Sequence, residues 1–291
     1  MEAIVPHRVS LRAMRAIDTR HLGLDKVICC WQVDGVLVDP GPESTLETVL
    51  EALGGEAPRA VLLTHIHFDH AGASGALVRR WPDLPVYVHE RGARHMASPE
   101  RLVASAARLY GGEDGLRRLW GEVVPVPEAN LHVMTGGETV LGDFQVEYTP
   151  GHASHHVSFL HTPTGTALVG DVAGVRIPPD GYVIAPTPPP DIDVEAWERS
   201  LDLVAGWEPD SLALTHYGRV DDVAPHLALV RERLHEWVAL AAKHGQEAFM
   251  AGVEERVHRN APDLAAQYIQ AAPPEHLYLG IRRYLDKRAG S

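Results

Sequence analysis

Four apolar runs of strand character in this chain each stop on a histidine or an aspartate, and that repetition constrains the fold more than any bulk property. "AVLL" runs into "THIHFDHAG", which delivers His65, His67, Asp69 and His70; "FQVEYTPGH" delivers His152; "TALVGD" delivers Asp171; "SLALTH" delivers His216. In each case the imidazole or carboxylate is the first or nearly the first polar group past the run. A rigid scaffold that presents functional groups from loops along one edge yields this pattern, whereas a surface that is merely histidine-rich does not. The chain has 18 histidines in 291 residues, so shuffling produces His-x-His-x-Asp-His in about one such chain in a few hundred. Agreement among four separate exits outweighs that coincidence.

The segments between the exits read as alternating strands and helices. "KVICCWQVDGVLVDPG" is a hairpin about Asp34-Gly35, and in "PESTLETVLEALGG" Ser44 and Glu47 form a capping box, with Gly54 closing the helix. A further helix is expected from about Gly72 to before Pro82, then the strand "PVYVHE", then helix over 90–121 with Ser98 as N-cap and Pro99 in its first turn. Strands are expected at "VVPVP", "LHVM", "TVLG", "FQVEYT", "HVSFLHT" and "TALVGD". Six prolines make "IPPDGYVIAPTPPPDID" a stiff irregular loop, after which Asp193 caps a helix. Beyond Asp221 the spacing of Leu227, Val230, Leu234, Trp237 and Ala241 predicts one long amphipathic helix, followed by shorter ones. The expectation is a mixed α/β chain with helices outside a pair of sheets: a catalytic domain over 1–220 and a helical region over 221–291 packed on it.

Composition narrows the partners. A formal charge of −13 leaves no basic surface to displace counterions from a phosphate backbone, so a nucleic-acid partner is not expected. "MEAIVPHRVSLRAM" lacks the layout of a signal peptide and no apolar run approaches membrane-spanning length, which predicts a cytoplasmic protein without a membrane partner. The two cysteines adjoin in "KVICCWQ", where neighbours on a strand face opposite ways; two reduced, buried thiols are expected.

The chemistry of the exits follows from residue type. In an extended segment i and i+2 project to the same side, so His65 and His67 can bind one ion while Asp69 and His70, at the turn into a helix, reach a second. Imidazole and carboxylate without thiolate suit Zn, Fe or Mn. Two ions about 3.5–4 Å apart can share a hydroxide, and Asp171, with two oxygens, is the natural bridge.

These residues resemble those of the metallo-β-lactamase superfamily: His65, His67, Asp69 and His70 in "THIHFDHAG", His152 in "TPGH", Asp171 in "VGD" and His216 in "LTH". The resemblance implies an αβ/βα sandwich of two mixed sheets across roughly residues 5–220, with the C-terminal helices as an addition. It implies a first metal held by His65, His67 and His152, a second by Asp69, His70 and His216, and Asp171 between them, the pair being zinc with iron or manganese as alternatives. The Asp69-His70 pair with Asp171 looks like the glyoxalase II and lactonase type, which implies hydrolysis of an ester, thioester or lactone of a small molecule by a bridging hydroxide. Asp69 then also acts in catalysis, orienting the nucleophile and shuttling its proton. The alternative is a persulfide dioxygenase with one iron on the same fold; β-lactam or phosphodiester hydrolysis ranks lower. A homodimer is allowed by these readings and required by none.

Other residues carry less. His155 and His156 read as supports of the ligands or as ordinary polar positions at the start of the next strand, His89 as structural, and Tyr182 and Tyr217 as tyrosines whose roles stay open. Arg282, Arg283, Lys287 and Arg288 read as solvated charges on a terminal helix. The 90–121 insert, the proline-rich loop and the C-terminal helices are expected to wall the pocket.

Overall fold

Asp34 and Gly35 both take positive φ, 48° and 79°, the pairing that lets a two-residue turn match the twist of its strands. In the computed structural model, which describes residues 14–179 and 181–290, that turn joins β2 (Cys29–Val33) to β3 (Val36–Val38), with β1 (Met14–Asp18) on the outside. Helix α1 (Leu46–Leu53) leads to β4 (Ala60–Leu62), and α2 (Phe68–Ala71) and α3 (Ser74–Arg80) lead to β5 (Val86–His89). Three short helices, α4 (Glu90–Ala97), α5 (Glu100–Ala107) and α6 (Glu113–Trp120), precede β6 (Leu131–Met134). The strands form one sheet in the order β1-β2-β3-β4-β5-β6, antiparallel as far as β3 and parallel from there.

The second sheet runs β12-β11-β10-β9-β8-β7. It comprises β7 (Thr139–Val140), β8 (Phe144–Tyr148), β9 (Val157–His161), β10 (Thr166–Gly170), β11 (Ser211–Leu214) and β12 (Gly218–Val220). Its one parallel pair, β10 with β11, is connected through α7 (Val194–Gly206), as a parallel crossover requires. Helices α8 (Val223–Lys243), α9 (Gln246–Asn260), α10 (Ala265–Ala271) and α11 (Pro274–Ala289) follow. None of the described helices is long and apolar enough to cross a membrane.

Alternation along the strands builds the layers. Cys29, Trp31, Val36 and Val38 face the second sheet and pack with Phe144, Val146, Phe159 and Leu168, while Cys30, Leu37 and Val61 face outward against Val49, Leu53 and Leu77 of α1 and α3. The two thiols are therefore buried, free and on opposite sides of one sheet, as expected. On the other side Ala167, Val169, Leu212 and Leu214 meet Trp197 and Leu201 of α7, and Leu227, Val230, Leu234, Trp237 and Ala241 of α8. Burial of each Leu or Val contributes about 1.5–3 kcal/mol, so α8 is a structural cover of the second sheet. The order helix, sheet, sheet, helix is the expected αβ/βα sandwich.

Local expectations failed where a competing partner intervened. Ser44 does not cap α1: its hydroxyl donates to the Leu119 carbonyl, and a 3-10 turn over Glu43–Thr45 forms the entry instead. Ser98 ends α4, and α5 opens after Pro99 without a side-chain cap. The helical stretch 90–121 is broken there and again at Gly111 and Gly112, which take φ of 74° and 98°. "VVPVP" joins neither sheet; its prolines lack the N–H a ladder needs. Strands β1 and β12 were not anticipated. Residues 1–13, on which the leader reading rested, lie outside the described residues.

Candidate metal centre

The two sheets are stitched together where the four exits emerge. Val157 N–H donates to the Thr64 carbonyl at 2.8 Å, Cys29 N–H to the Thr215 carbonyl at 2.8 Å, and Trp31 Nε1–H to the Leu214 carbonyl at 3.0 Å. These bonds hold the ends of β4, β9 and β11 beside one another. All seven expected ligands converge there. His65, His67 and His152 form one group, Asp69, His70 and His216 another, and Asp171 groups with His65 and His70; within each group the ligand atoms lie within 4.8 Å of one another.

Close backbone approach makes this possible. Gly170, at φ 47°, leaves β10 so tightly that a Cβ there would lie 2.5 Å from Thr64 Oγ1 and 2.7 Å from His156 Nε2. Gly151, just before His152, lies against α7, where a Cβ would come within 2.3 Å of the Trp197 backbone. Trp197 in turn meets the His152 ring edge-on at 5.6 Å.

Hydrogen bonds at the outer nitrogens fix which imidazole atoms face inward. His70 Nδ1–H donates to Asp39 Oδ2 at 2.8 Å, His152 Nδ1–H to the Pro186 carbonyl at 2.9 Å, and His216 Nδ1–H to the Val27 carbonyl at 2.7 Å. Thr64 gives its hydroxyl proton to Asp39 Oδ2 at 2.7 Å and so can only accept from His65 Nδ1–H, 3.1 Å away. With Nδ1 protonated, Nε2 is the atom that carries the lone pair in the neutral form of all four rings. Those of His65 and His152 meet His67 Nδ1 at 2.9 and 3.0 Å. Those of His70 and His216, together with Asp171 Oδ1, are buried without a hydrogen-bond partner among the described residues. Buried lone pairs aimed at one another and at carboxylates are unfavourable unless a cation sits between them. The donor set therefore fits a divalent metal, with four of the five ligating rings held by an outer partner.

The carboxylates are arranged to match. Asp171 Oδ2 is 3.3 Å from His152 Nε2, whereas Oδ1 is 3.2 Å from His70 Nε2 and 3.6 Å from His216 Nε2. Asp69 Oδ2 lies 3.4 Å from His216 Nε2 and 3.9 Å from His70 Nε2. Burial, reinforced by neighbouring imidazoles, holds His65 well below the usual histidine range and brings His67 to about 4, so both are neutral at pH 7. Burial also opposes charge on His70 and His216, yet Asp171 overrides it at both, aided by Asp39 and Asp69 at the first and by Asp69 at the second, and both are raised. Burial likewise disfavours the ionised forms of Asp69 and Asp171, but His70 and its neighbours hold both below the ordinary carboxylate range. The cluster of carboxylates attracts positive charge, which protons supply when no metal does.

Three sets of residues add to the expected site. Asp39 was read only as the end of a hairpin; it is fully buried and accepts from Thr64 N–H at 2.8 Å, His70, Thr64 Oγ1, and Thr215 Oγ1 at 2.9 Å. It leaves β3 in the same manner as the ligands leave their strands, which was the available signal. His21, Tyr110, Trp120 and His276 form a chain of ring contacts, with His21 stacked on Trp120 at 4.8 Å and Tyr110 edge-on to both Trp120 and His276. The negative charge of Asp69 favours the protonated forms of His21, Tyr110 and His276, so this aromatic wall lies within the field of the ligand cluster. His156 supports Asp171: it accepts the Asp171 N–H at 3.3 Å and contacts Thr149 Oγ1 at 2.9 Å. His155 lies beside the rings of His65 and His67 at 6.1 and 5.6 Å.

The remaining candidates have other partners. His89 stacks on Tyr148. Tyr182 is pushed up to about 12 by burial, and Tyr217 is raised by burial with Cys29 and Asp18 as neighbours. Arg283 and Lys287 donate to the Pro190 carbonyl, Arg282 pairs with Asp286, and Arg288 with Glu195, tying α11 to the proline-rich loop and α7.

Known proteins are similar to this chain in sequence and fold. The chain is 32% identical over 139 residues to the probable metallo-hydrolase YqgX of Bacillus subtilis (strain 168), covering 47% of this chain and 60% of that one. It is 33% identical over 127 residues to a protein named hydroxyacylglutathione hydrolase from Xylella fastidiosa (strain M12), covering 43% and 36%. The chain thus spans less than two thirds of either relative. The metallo-beta-lactamase family protein TTHA1429 from Thermus thermophilus superposes with a TM-score of 0.62 at 22% identity, over 95% of this chain and 93% of that one, a likeness of fold. The profile described as the Metallo-beta-lactamase superfamily matches residues 34–216, a span that takes in all seven convergent side chains, and the chain belongs to that superfamily.

Proposed function

We propose that this chain is a metal-dependent hydrolase that cleaves an ester, thioester or lactone bond of a small molecule. Two divalent ions, zinc first, would be held by His65, His67 and His152 on one side and by Asp69, His70 and His216 on the other, with Asp171 serving both. The observation that carries this reading is the division of Asp171, whose two oxygens face different histidine groups, at 3.3 Å from His152 and 3.2 Å from His70. When bound, such ions make water a nucleophile near neutral pH and polarise a carbonyl oxygen.

The chain's own residues do the rest. Asp69 has a side chain 21% exposed, against 5% for Asp171, and is held from one side by His216. It is placed to take a proton from the attacking water and return it to the leaving group. Asp39 and the backbone carbonyls of Pro186 and Val27 keep the imidazoles in one tautomer throughout. The rings of His21, Tyr110, Trp120 and His276 offer an aromatic wall for the substrate within the field of Asp69. Similarity to a hydroxyacylglutathione hydrolase supports including thioesters among the first substrates tried.

The test is a panel of p-nitrophenyl esters, lactones, glutathione thioesters, phosphodiesters and a chromogenic cephalosporin, run beside an oxygen electrode with a persulfide. Hydrolysis of an ester, thioester or lactone is expected, abolished by chelator, restored by zinc, and reduced at least about 100-fold in Asp69→Ala. Oxygen uptake without hydrolysis would replace the proposal with an oxidative one, and an Asp69→Ala enzyme of unchanged kcat would remove the assigned proton transfer.

A further inference from the structure

A second group of potential ligands lies at the opposite end of the sandwich. Asp34, in the β2–β3 turn, belongs to the first sheet; Asp143, just before β8, and His161, the last residue of β9, belong to the second. Their ligand atoms lie within 4.8 Å of one another. The strand β9 separates His161 from His156 beside the metal centre, and five residues of extended chain span roughly 17 Å.

His161 Nδ1 lies 2.9 Å from Thr164 Oγ1. Its Nε2 faces Asp34 Oδ2 at 3.3 Å, in a side chain with no solvent exposure. Neither His161 Nε2 nor Asp34 Oδ1 has a hydrogen-bond partner among the described residues. No lysine or arginine among them pairs with either carboxylate; Arg59 donates instead to the Asp34 carbonyl at 3.1 Å. Burial holds the His161 pKa below its ordinary value despite the two carboxylates, which keeps the ring neutral. Two carboxylate groups and buried polar atoms without partners, gathered in one partly closed recess, are unfavourable. A divalent cation resolves this, and two carboxylates and one imidazole match its charge and suit zinc or manganese, with water completing the shell.

We propose that Asp34, Asp143 and His161 form a separate divalent-cation site that ties the two sheets together at the end remote from the metal centre. Bonds of about 2.0–2.2 Å require the three side chains to close by less than an ångström or so. Two of the three are partly exposed, which leaves the ion room for water ligands and a route of entry. The site is structural: nothing of the aromatic wall lies beside it, and it shares no residue with the hydrolytic site, so its fate is independent of the proposed activity.

The test uses the full-length chain, stripped by chelator and reloaded with zinc chloride. Wild-type protein is expected to retain one more equivalent of zinc per chain than Asp143→Asn or His161→Gln. Crystals of the wild type are expected to show an anomalous zinc peak among the three residues that is absent from both variants, while peaks at the other centre persist. Zinc should also raise the wild-type Tm more than that of Asp143→Asn. His161→Gln removes a fully buried ring and can perturb folding, whereas Asp143 is partly exposed, so Asp143→Asn keeps the comparison decisive. Equal zinc content in wild type and Asp143→Asn, with no anomalous peak between the residues, overturns the proposal and leaves a polar cluster only.

Discussion

Replacing Asp39 by asparagine perturbs the metal centre while leaving every proposed ligand residue in place. Asp39 Oδ2 accepts three donors, His70 Nδ1–H, Thr64 Oγ1–H and Thr215 Oγ1–H, and Oδ1 accepts the Thr64 N–H. An amide cannot serve both sides. With its oxygen at the Oδ2 position, the NH2 group opposes the Thr64 N–H; with the NH2 there, it opposes His70. The hydroxyls can turn, but His70 can escape only by moving its proton to Nε2, which removes the lone pair directed at Asp171 and Asp69. A buried donor left unpaired costs about 1–3 kcal/mol, and loss of the charge weakens the other bonds, so a total of roughly 3 kcal/mol is expected. Loss of an outer-shell partner of this kind lowers metal affinity about 10–100-fold. Competition with a chromophoric zinc chelator should place that loss in the weaker binding step, and urea unfolding of the metal-free protein should give the stability change. Asp39→Asn protein that binds two zinc ions with wild-type affinity would refute the tautomer argument, whatever its stability.

Two further outcomes follow from the packing. Gly170→Ala puts a methyl group 2.5 Å from Thr64 Oγ1 in a residue at φ 47°; left-handed strain of about 1–2 kcal/mol adds to the clash. Zinc affinity and urea midpoint should fall together, and a stability within about 1 kcal/mol of wild type would show that the loop yields freely. His226 is brought down to about 4, chiefly by burial, with its bond to the Ala173 carbonyl acting the other way. Since the unfolded chain binds this proton near pH 6.5 and the folded chain does not, stability is present above pH 6.5 and falls as the pH drops toward 4. The full effect is about 3 kcal/mol. His226→Gln should flatten that part of the urea-midpoint profile between pH 7.5 and 4.5; an unchanged slope would move the acid sensitivity elsewhere.

Much of the architecture was legible because its signals are local. The Asp34-Gly35 turn, the Asp193 cap, whose side chain accepts from Ala196 N–H at 2.8 Å, and the buried face of α8 each depend on residues within a few positions. Residue type and spacing marked out the seven convergent side chains for the same reason. The wall was not legible. His21 reaches the Leu119 carbonyl across 98 positions, and nothing near His21, Trp120 or His276 signals that they meet. Ser44 shows the converse: a sound local motif lost its hydroxyl to Leu119, 75 residues away. Asp39 lay between these cases, since its place at a strand exit was visible but its four donors come from residues 64, 70 and 215.

The convergent side chains come from both sheets: His65, His67, Asp69 and His70 follow β4, while His152, Asp171 and His216 follow strands of the other sheet. Neither half alone can offer a complete coordination shell, so the ion is a reporter of the docked sandwich. Binding of a metal and closure of the two halves are therefore coupled, and whatever loosens the contact between the sheets loosens the ion with it.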